Sequence, residues 1–247
     1  MKQYKFPKKQ QTEFIINAAA IKGVPVTTFF NRRWDSDALT IKKVLASGIL
    51  GEVHRIDSRF ERFRPELNAA SWRENMSPSD GGGQLLDLQP HLISTAIEWF
   101  GKAELVTATV RSLRGGADDD SVLVLRHESG AMSYLSASAV VGAPGPRIRI
   151  LGTQGALVIN DLDPQEALLR AGKFPEGGTW TVPTSSKAFL HRGEVVEEIE
   201  SVPGNYGYFY KQVESAINDG TAWPVSNEDA LLVAKIIDEA REVATHV

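Results

Sequence analysis

Apolar residues Phe14, Ile15, Ala18, Ala19 and Ile21 recur at helical spacing and Gly23 supplies a stop, so residues 10–22 are predicted as a helix. Residues 24–30 follow directly, rich in β-branched and aromatic side chains with Pro25 near the start, and predict a strand. Ser36 is a good N-cap residue for a second helix that carries Leu39, Ile41, Val44 and Leu45 and stops at Gly48. A turn at Gly51 then leads into a long strand over residues 53–64, in which alternation sets Ile56, Phe60, Arg62 and Arg64 on one face. Residues 65–83 are a polar connection containing Trp72 and Arg73. A helix with Ile93, Ala96, Ile97 and Phe100 on one side follows and ends at Gly101.

Beyond Gly101 the pattern changes to short runs of β-rich sequence at 105–114, 121–126, 131–140, 147–151 and 156–159, separated by turn residues such as Glu128-Ser129-Gly130. Strands that arrive by hairpins, with helices before and after them, give an α+β class: an open, largely antiparallel, mixed sheet with helices on one face. Two further helices are predicted over 206–218 and 227–244, divided by Pro224. The opening helix and strand form half of an α/β unit, so the chain divides into a residual α/β piece over 1–32 and an α+β domain over 33–247.

With 247 residues, 42% of them hydrophobic and 23% charged, the chain has the make-up of a globular domain with a sizeable core. Its net charge is −4, and basic residues are dispersed apart from Lys2, Lys5, Lys8 and Lys9, which argues against nucleic acid or an anionic membrane as partner. There is no cysteine, which excludes disulfides and thiolate metal sites, and the five histidines show no metal-ligand spacing. No apolar run approaches the ~18 residues of a membrane span, and a cytoplasmic location is expected. Three consecutive acids, Asp118 to Asp120, do not converge on one point and are expected to form a solvated turn. His54, His127, His191 and His246 are expected to be structural or exposed.

The most informative stretch is Gly81-Gly82-Gly83-Gln84-Leu85-Leu86-Asp87-Leu88-Gln89-Pro90-His91. On a helix Asp87 and His91 stand four apart and share a face. An imidazole oriented by a carboxylate is the usual equipment for moving the proton of an alcohol while hydride leaves its carbon. An Asp near a helix start is more often a cap, so the surrounding residues carry the argument. Those are Asn31-Arg32-Arg33-Trp34-Asp35 at a strand end, Arg62-Phe63-Arg64-Pro65, and Trp72-Arg73-Glu74. Arginine beside tryptophan offers hydrogen-bond donors next to a flat apolar surface, which suits a ring bearing hydroxyls. Any single arginine here is adequately explained as a solvated ion pair; the density of them is the signal.

In this order the motifs NRRWDSD, RFRP, WRE, GGGQLLDLQPHLI, DPQEALLRAG and PGNYGYFY resemble the glucose-fructose oxidoreductase and inositol dehydrogenase family, and especially its NADP-dependent scyllo-inositol dehydrogenase-like branch. The resemblance runs from about residue 11 to residue 244. It implies an NAD- or NADP-dependent oxidoreductase acting on a sugar or cyclic polyol, built on an open mixed sheet, one face of which makes a dimer interface. Asp87 and His91 match the family's catalytic pair, with His91 as proton-transfer group and Asp87 positioning substrate and imidazole. Arg33, Trp34, Arg62, Arg64, Trp72, Arg73 and Tyr206 fall in motifs expected near the substrate, and Asn31 and Arg32 are the candidates on the cofactor side. Gln165 and Glu166 also belong to the pattern.

The family begins with a Rossmann domain that carries a glycine fingerprint and closes with Glu-Lys-Pro. No GxGxxG occurs in this sequence, and Lys2 and Lys5 lack the Glu-Lys-Pro context. The opening helix and strand are therefore expected to be the last piece of such a domain, and no tightly bound nucleotide is expected. Gln89 stands where the pattern usually has glycine, which would set a side chain close to the reaction site, and Ser94 stands where an acid often follows the histidine. Two readings follow: the substrate-side domain of an oxidoreductase, or a non-catalytic dimerisation or sugar-binding module.

Overall fold

The structure, a computed structural model, describes residues 9–175, 180 and 187–244. Lys2, Lys5, Lys8 and His246 lie outside the described residues. In chain order the elements are α1 (Lys9–Ile21), a 3-10 turn (Asn31–Trp34), α2 (Ser36–Ser47), β1 (Val53–Glu61), α3 (Trp72–Asn75), a 3-10 turn (Pro78–Asp80), α4 (Gln84–Asp87) and α5 (Gln89–Phe100). There follow β2 (Ala103–Arg111), β3 (Asp120–His127), β4 (Met132–Ser138), β5 (Ile148–Gly152), β6 (Gly155–Ile159), α6 (Gln165–Arg170), β7 (Ala188–Arg192), β8 (Val195–Ile199), α7 (Gly207–Asn218) and α8 (Asn227–Ala244). The chain forms two compact units. One comprises Met1–Thr28, Asp57–Gly145 and Val225–Val247, and the other Phe29–Ile56 and Pro146–Pro224.

In the first unit the strands run β2-β3-β4-β1, and β2–β3 and β3–β4 are antiparallel ladders, with Leu123 opposite both Ala108 and Leu135. Alternation sorts the side chains. Leu123, Leu125, Leu135 and Ala137 are fully buried on the face against which α4, α5 and α8 pack, while Val122, Val124, Tyr134 and Ser136 on the opposite face are partly exposed. α5 closes this core with Leu92, Ile93, Ala96 and Ile97. Each large apolar side chain buried there contributes about 1.5–3 kcal/mol.

In the second unit the order is β5-β6-β7-β8, again with antiparallel hairpins. Ile148 faces Ile159, Ile150 faces Leu157, and Leu157 faces Leu190, a fully buried stripe. α2 buries Ile41 and Val44 and ends at Gly48, whose φ of 70° is open to glycine at little cost. The expected open sheet with helices against it is therefore present, and the predicted strands from 105 to 159 each correspond to an observed strand.

Several expectations are corrected. Residues 24–30 are not a strand: β propensity supplies no partner, Pro25 has no N–H, and the Thr27 hydroxyl donates instead to the Val225 carbonyl at 2.8 Å. The long strand ends at Glu61, and only Phe63 continues it, through an isolated bridge to Val140. Arg62 and Arg64 therefore lie past its end, on a segment whose N–H groups bond to the Ser138 and Ala139 carbonyls. The helix predicted around His91 is split at Leu88, because Pro90 cannot donate to the Leu86 carbonyl and the His91 N–H closes a tighter turn on Leu88 at 3.1 Å. The β7–β8 hairpin and helices α3 and α6 are additions to the predicted set.

Candidate functional site

The first unit holds Arg62, Arg64, Trp72, Arg73, Asp87 and His91. Here α3 and α4 are brought together: Arg73 Nε donates to Asp87 Oδ1 at 2.9 Å, and the Arg73 guanidinium lies over the Trp72 indole at 4.7 Å. Both members of the ion pair are partly open to solvent. His91 follows Asp87 across the Leu88 break and is half-buried. Arg62 is partly exposed and Arg64 exposed.

The triple glycine makes this arrangement possible by allowing close contacts within the protein. A Cβ on Gly83 would fall 1.9 Å from an oxygen of Asp118, and one on Gly82 would fall 1.9 Å from the Met76 carbonyl oxygen. Gly83 also has φ of 98°, which excludes a side chain on conformational grounds. Asp118 in turn accepts the Leu85 N–H at 2.7 Å through its carboxylate and the Gln84 N–H at 2.8 Å through its carbonyl, so it caps α4. Burial holds the Asp118 carboxyl above its ordinary pKa, against the opposing effect of these N–H donors and Arg241.

Asp118 to Asp120 are thus not a solvated turn. Asp119 accepts the Leu113 N–H and the Arg114 N–H and Nε–H, and Asp120 accepts Arg111 Nε at 2.9 Å and one of its terminal nitrogens at 2.6 Å. Each acid fixes a different stretch of backbone or side chain. Gln89 likewise departs from expectation: its side chain is fully buried, and its amide donates to the Ser121 carbonyl and hydroxyl and to the Leu135 carbonyl at 3.1–3.2 Å. It is a tie between α5 and the strands.

The second unit holds Asn31, Arg32, Arg33, Trp34 and Tyr206, together with Gln165 and Glu166. Arg33 and Trp34 are buried, and the Trp34 indole meets Phe209 edge-on at 5.3 Å. Asn31 opens the 3-10 turn, and Arg32 pairs with Asp35, Glu166 and the Tyr206 hydroxyl. Burial disfavours the Arg32 cation, but Asp35, Tyr206 and Glu166 outweigh it and hold its pKa above the ordinary value. Tyr206 donates to Asp35 Oδ1 at 2.7 Å, and burial followed by the Asp35 charge raises the phenol. Burial also raises Asp35 well above the ordinary carboxylate value, and crowding by Asp37 and Asp163 adds to this against the pull of Arg32.

Gln165, whose role the sequence leaves open, is the hub of this group. Its amide donates to the Trp34 carbonyl and to Asp163 at 3.1 Å each, and its carbonyl accepts Trp180 Nε1 at 3.1 Å and the Tyr206 N–H at 3.0 Å. Among the described residues there is no group of His, Asp and Glu arranged to hold a metal, and no helix long and apolar enough to cross a membrane.

Residues 38–158 match the family model for the GFO/IDH/MocA C-terminal domain. The chain is 34% identical over 239 residues to IolW of Bacillus subtilis, a scyllo-inositol 2-dehydrogenase (NADP(+)), covering 94% of this chain and 66% of that protein. It is 35% identical over 230 residues to the oxidoreductase YdgJ of Escherichia coli, covering 91% and 65%. The chain therefore spans just under two thirds of the length of these relatives. Among solved structures, the oxidoreductase YvaA of Bacillus subtilis superposes with a TM-score of 0.84 at 32% identity, over 97% of this chain and 69% of that one. On the strength of fold, ordered motifs and these likenesses, the chain belongs to the GFO/IDH/MocA oxidoreductase family.

Proposed function

We propose that this chain supplies the substrate side of an NAD(P)-dependent oxidoreductase that acts on a sugar or cyclic polyol of the inositol type. The observation that carries the reading is the Arg73–Asp87 ion pair at 2.9 Å, stacked on Trp72 and placed on the helical turn that leads to His91. A ring bearing several hydroxyls needs donors, an acceptor and a flat apolar neighbour. Arg73, Asp87 and Trp72 are groups of those three kinds. His91 is assigned the proton of the reacting hydroxyl: neutral imidazole accepts it as the alcohol becomes a carbonyl, the hydride from the same carbon being the one the nicotinamide of the complete enzyme would take, and returns it in the reverse direction. Asp87, held in place by Arg73, orients the substrate hydroxyls.

The described residues do not fit a dinucleotide's pyrophosphate. A phosphate is typically seated on open N–H groups at a helix N-terminus. In this structure Asp238 accepts the first N–H of α1, Asp163 that of α2 and Asn205 that of α7. α5 has Pro90 in its first turn, and α8 carries Glu228 and Asp229 in its first turn. Polyol binding and proton movement are therefore this chain's proposed share, and no step is assigned through a nucleotide held by its described residues.

Calorimetric titration with scyllo-inositol, with NADPH and with NADH tests the reading. Saturable inositol binding that is weakened, but still measurable, in Arg73→Ala supports it. Absence of inositol and sugar binding overturns it in favour of a non-catalytic dimerisation module. The family resemblance also leads us to propose a dimer through the uncovered face that carries Val122, Val124 and Tyr134. Light scattering that shows a monomer at micromolar concentration overturns that proposal.

A further inference from the structure

The Arg73–Asp87 pair sits on short elements, and one-turn helices such as α3 and α4 have little stability of their own. Their order must come from what they are tied to, and in the first unit those ties converge on the connection between β2 and β3. Arg114, on that connection, is a half-buried residue whose side chain is only 5% exposed. Its Nε donates to Asp119 at 2.8 Å, and one terminal nitrogen donates to the Arg64 carbonyl at 2.9 Å, the Glu66 carbonyl at 3.1 Å and the Glu74 carboxylate at 3.0 Å. A single guanidinium therefore grips both ends of the 64–74 segment. Glu74, the residue after Arg73, uses the same carboxylate oxygen to accept the Asn68 N–H at 3.2 Å.

A second, independent set of contacts closes the same seam. The Ala117 N–H donates to the Glu74 carbonyl at 2.9 Å, and the Gly83 N–H donates to the Arg73 carbonyl at 2.8 Å. A Cβ on Gly116 would lie 2.4 Å from the Glu74 carbonyl oxygen, so backbone packs on backbone there. The same connection reaches the other member of the ion pair through Asp118, which caps α4 at Gln84 and Leu85.

We propose that Arg114 is a positioning residue for the polyol site, acting through Glu74 and the 64–74 backbone to hold Arg73 against Asp87. This rests on the functional reading above. Buried guanidinium groups with several acceptors are rigid because no single bond can rotate away without breaking the others. Loss of that rigidity displaces Arg73 and with it one polyol donor, a charge-assisted hydrogen bond worth on the order of tenfold in affinity.

The test uses the full chain in four forms: wild type, Arg114→Met, Arg114→Lys and Arg111→Met, the last a control on the same hairpin whose ion pair goes to Asp120. Amide hydrogen exchange is measured over residues 64–85, and scyllo-inositol affinity by calorimetry. Arg114→Met is expected to raise exchange across that segment and weaken inositol binding about tenfold. Arg114→Lys recovers part of both effects, and Arg111→Met leaves both unchanged. In an Arg73→Ala background Arg114→Met adds nothing further to the loss of affinity, a non-additivity that a general loss of stability would not produce. Unchanged exchange in Arg114→Met, or full additivity with Arg73→Ala, overturns the proposal. If wild type binds no inositol the functional reading fails, and the exchange comparison alone then decides whether Arg114 orders this segment.

Discussion

Arg73 and Asp87 lie fourteen positions apart in sequence, and their Nε–Oδ1 contact of 2.9 Å joins two one-turn helices that are also tied by the Gly83 N–H on the Arg73 carbonyl at 2.8 Å. Because both side chains are partly open to water, the pair contributes at most about 1 kcal/mol to folding. On the proposed function its value lies in binding. Asp87→Asn keeps the shape while removing the charge, and we expect it to reduce inositol affinity about tenfold, the size of one charge-assisted hydrogen bond, with a change in unfolding free energy of less than about 1 kcal/mol. Calorimetry beside a urea titration separates the two. A large loss of stability at unchanged affinity would make the pair a structural clasp.

Gly83 is the position at which this part of the fold is least tolerant. Alanine there meets both the Asp118 carboxylate and a φ of 98°. Conformational strain and overpacking together predict a loss of about 2–5 kcal/mol. Combining Gly83→Ala with Asp118→Ala relieves only the steric share, since the dihedral cost remains. Urea unfolding of the single and double variants reads the partition directly.

Gln89 offers a sharp contrast with the site residues. Its amide group is buried and donates to the Ser121 and Leu135 carbonyls. Gln89→Ala should cost about 1–3 kcal/mol by removing those donors from buried acceptors, while inositol affinity stays within twofold of wild type, as about 0.4 kcal/mol or less would require. A selective loss of affinity would instead place this side chain in the pocket, where the family pattern had led us to expect it.

What could be read from the chain is what local chemistry determines. Gly48 and Gly101 marked helix ends because their φ values of 70° and 80° suit glycine. Strands β2 to β6 were visible because one face alternates into a core and turns punctuate them. β8 was not, since Val195, Val196, Glu197 and Glu198 are all exposed and present no buried face. Among candidate site residues, the juxtaposition of WRE with the GGGQLLD segment came from ordered motifs, and the Arg73–Asp87 contact gives it geometry. Arg114 and Asp119 gave no signal. Their partners are carbonyls and carboxylates distant in sequence, and a run of three acids looks solvated until those partners are in place. Gln165 failed to declare itself for the same reason.

Stability against pH carries two contributions of opposite sign in the first unit. His127 bonds through Nδ1 to the Gly101 carbonyl at 2.9 Å and through Nε2 to the Ser133 hydroxyl at 2.7 Å; the carbonyl can only accept, so Nδ1 carries the proton and neutral Nε2 accepts from Ser133. Burial pushes its pKa below 6.5, against the carbonyl bond that favours the cation. The unfolded chain therefore takes up a proton that the folded chain resists, and stability falls as pH drops from about 6.5 toward the folded value. Asp118 works the other way. Its folded pKa lies above 3.8, so the folded state keeps a proton that the unfolded chain releases, and stability is lost as pH rises from about 4 through the folded value. Urea midpoints between pH 4 and 8 should show the His127→Gln variant losing less stability than wild type on acidification below 6.5, and Asp118→Asn losing less on the rise above 4. NMR titration of the His127 ring supplies the independent check: a value at or above 6.5 would remove the acid-side prediction and leave the Asp118 effect standing alone.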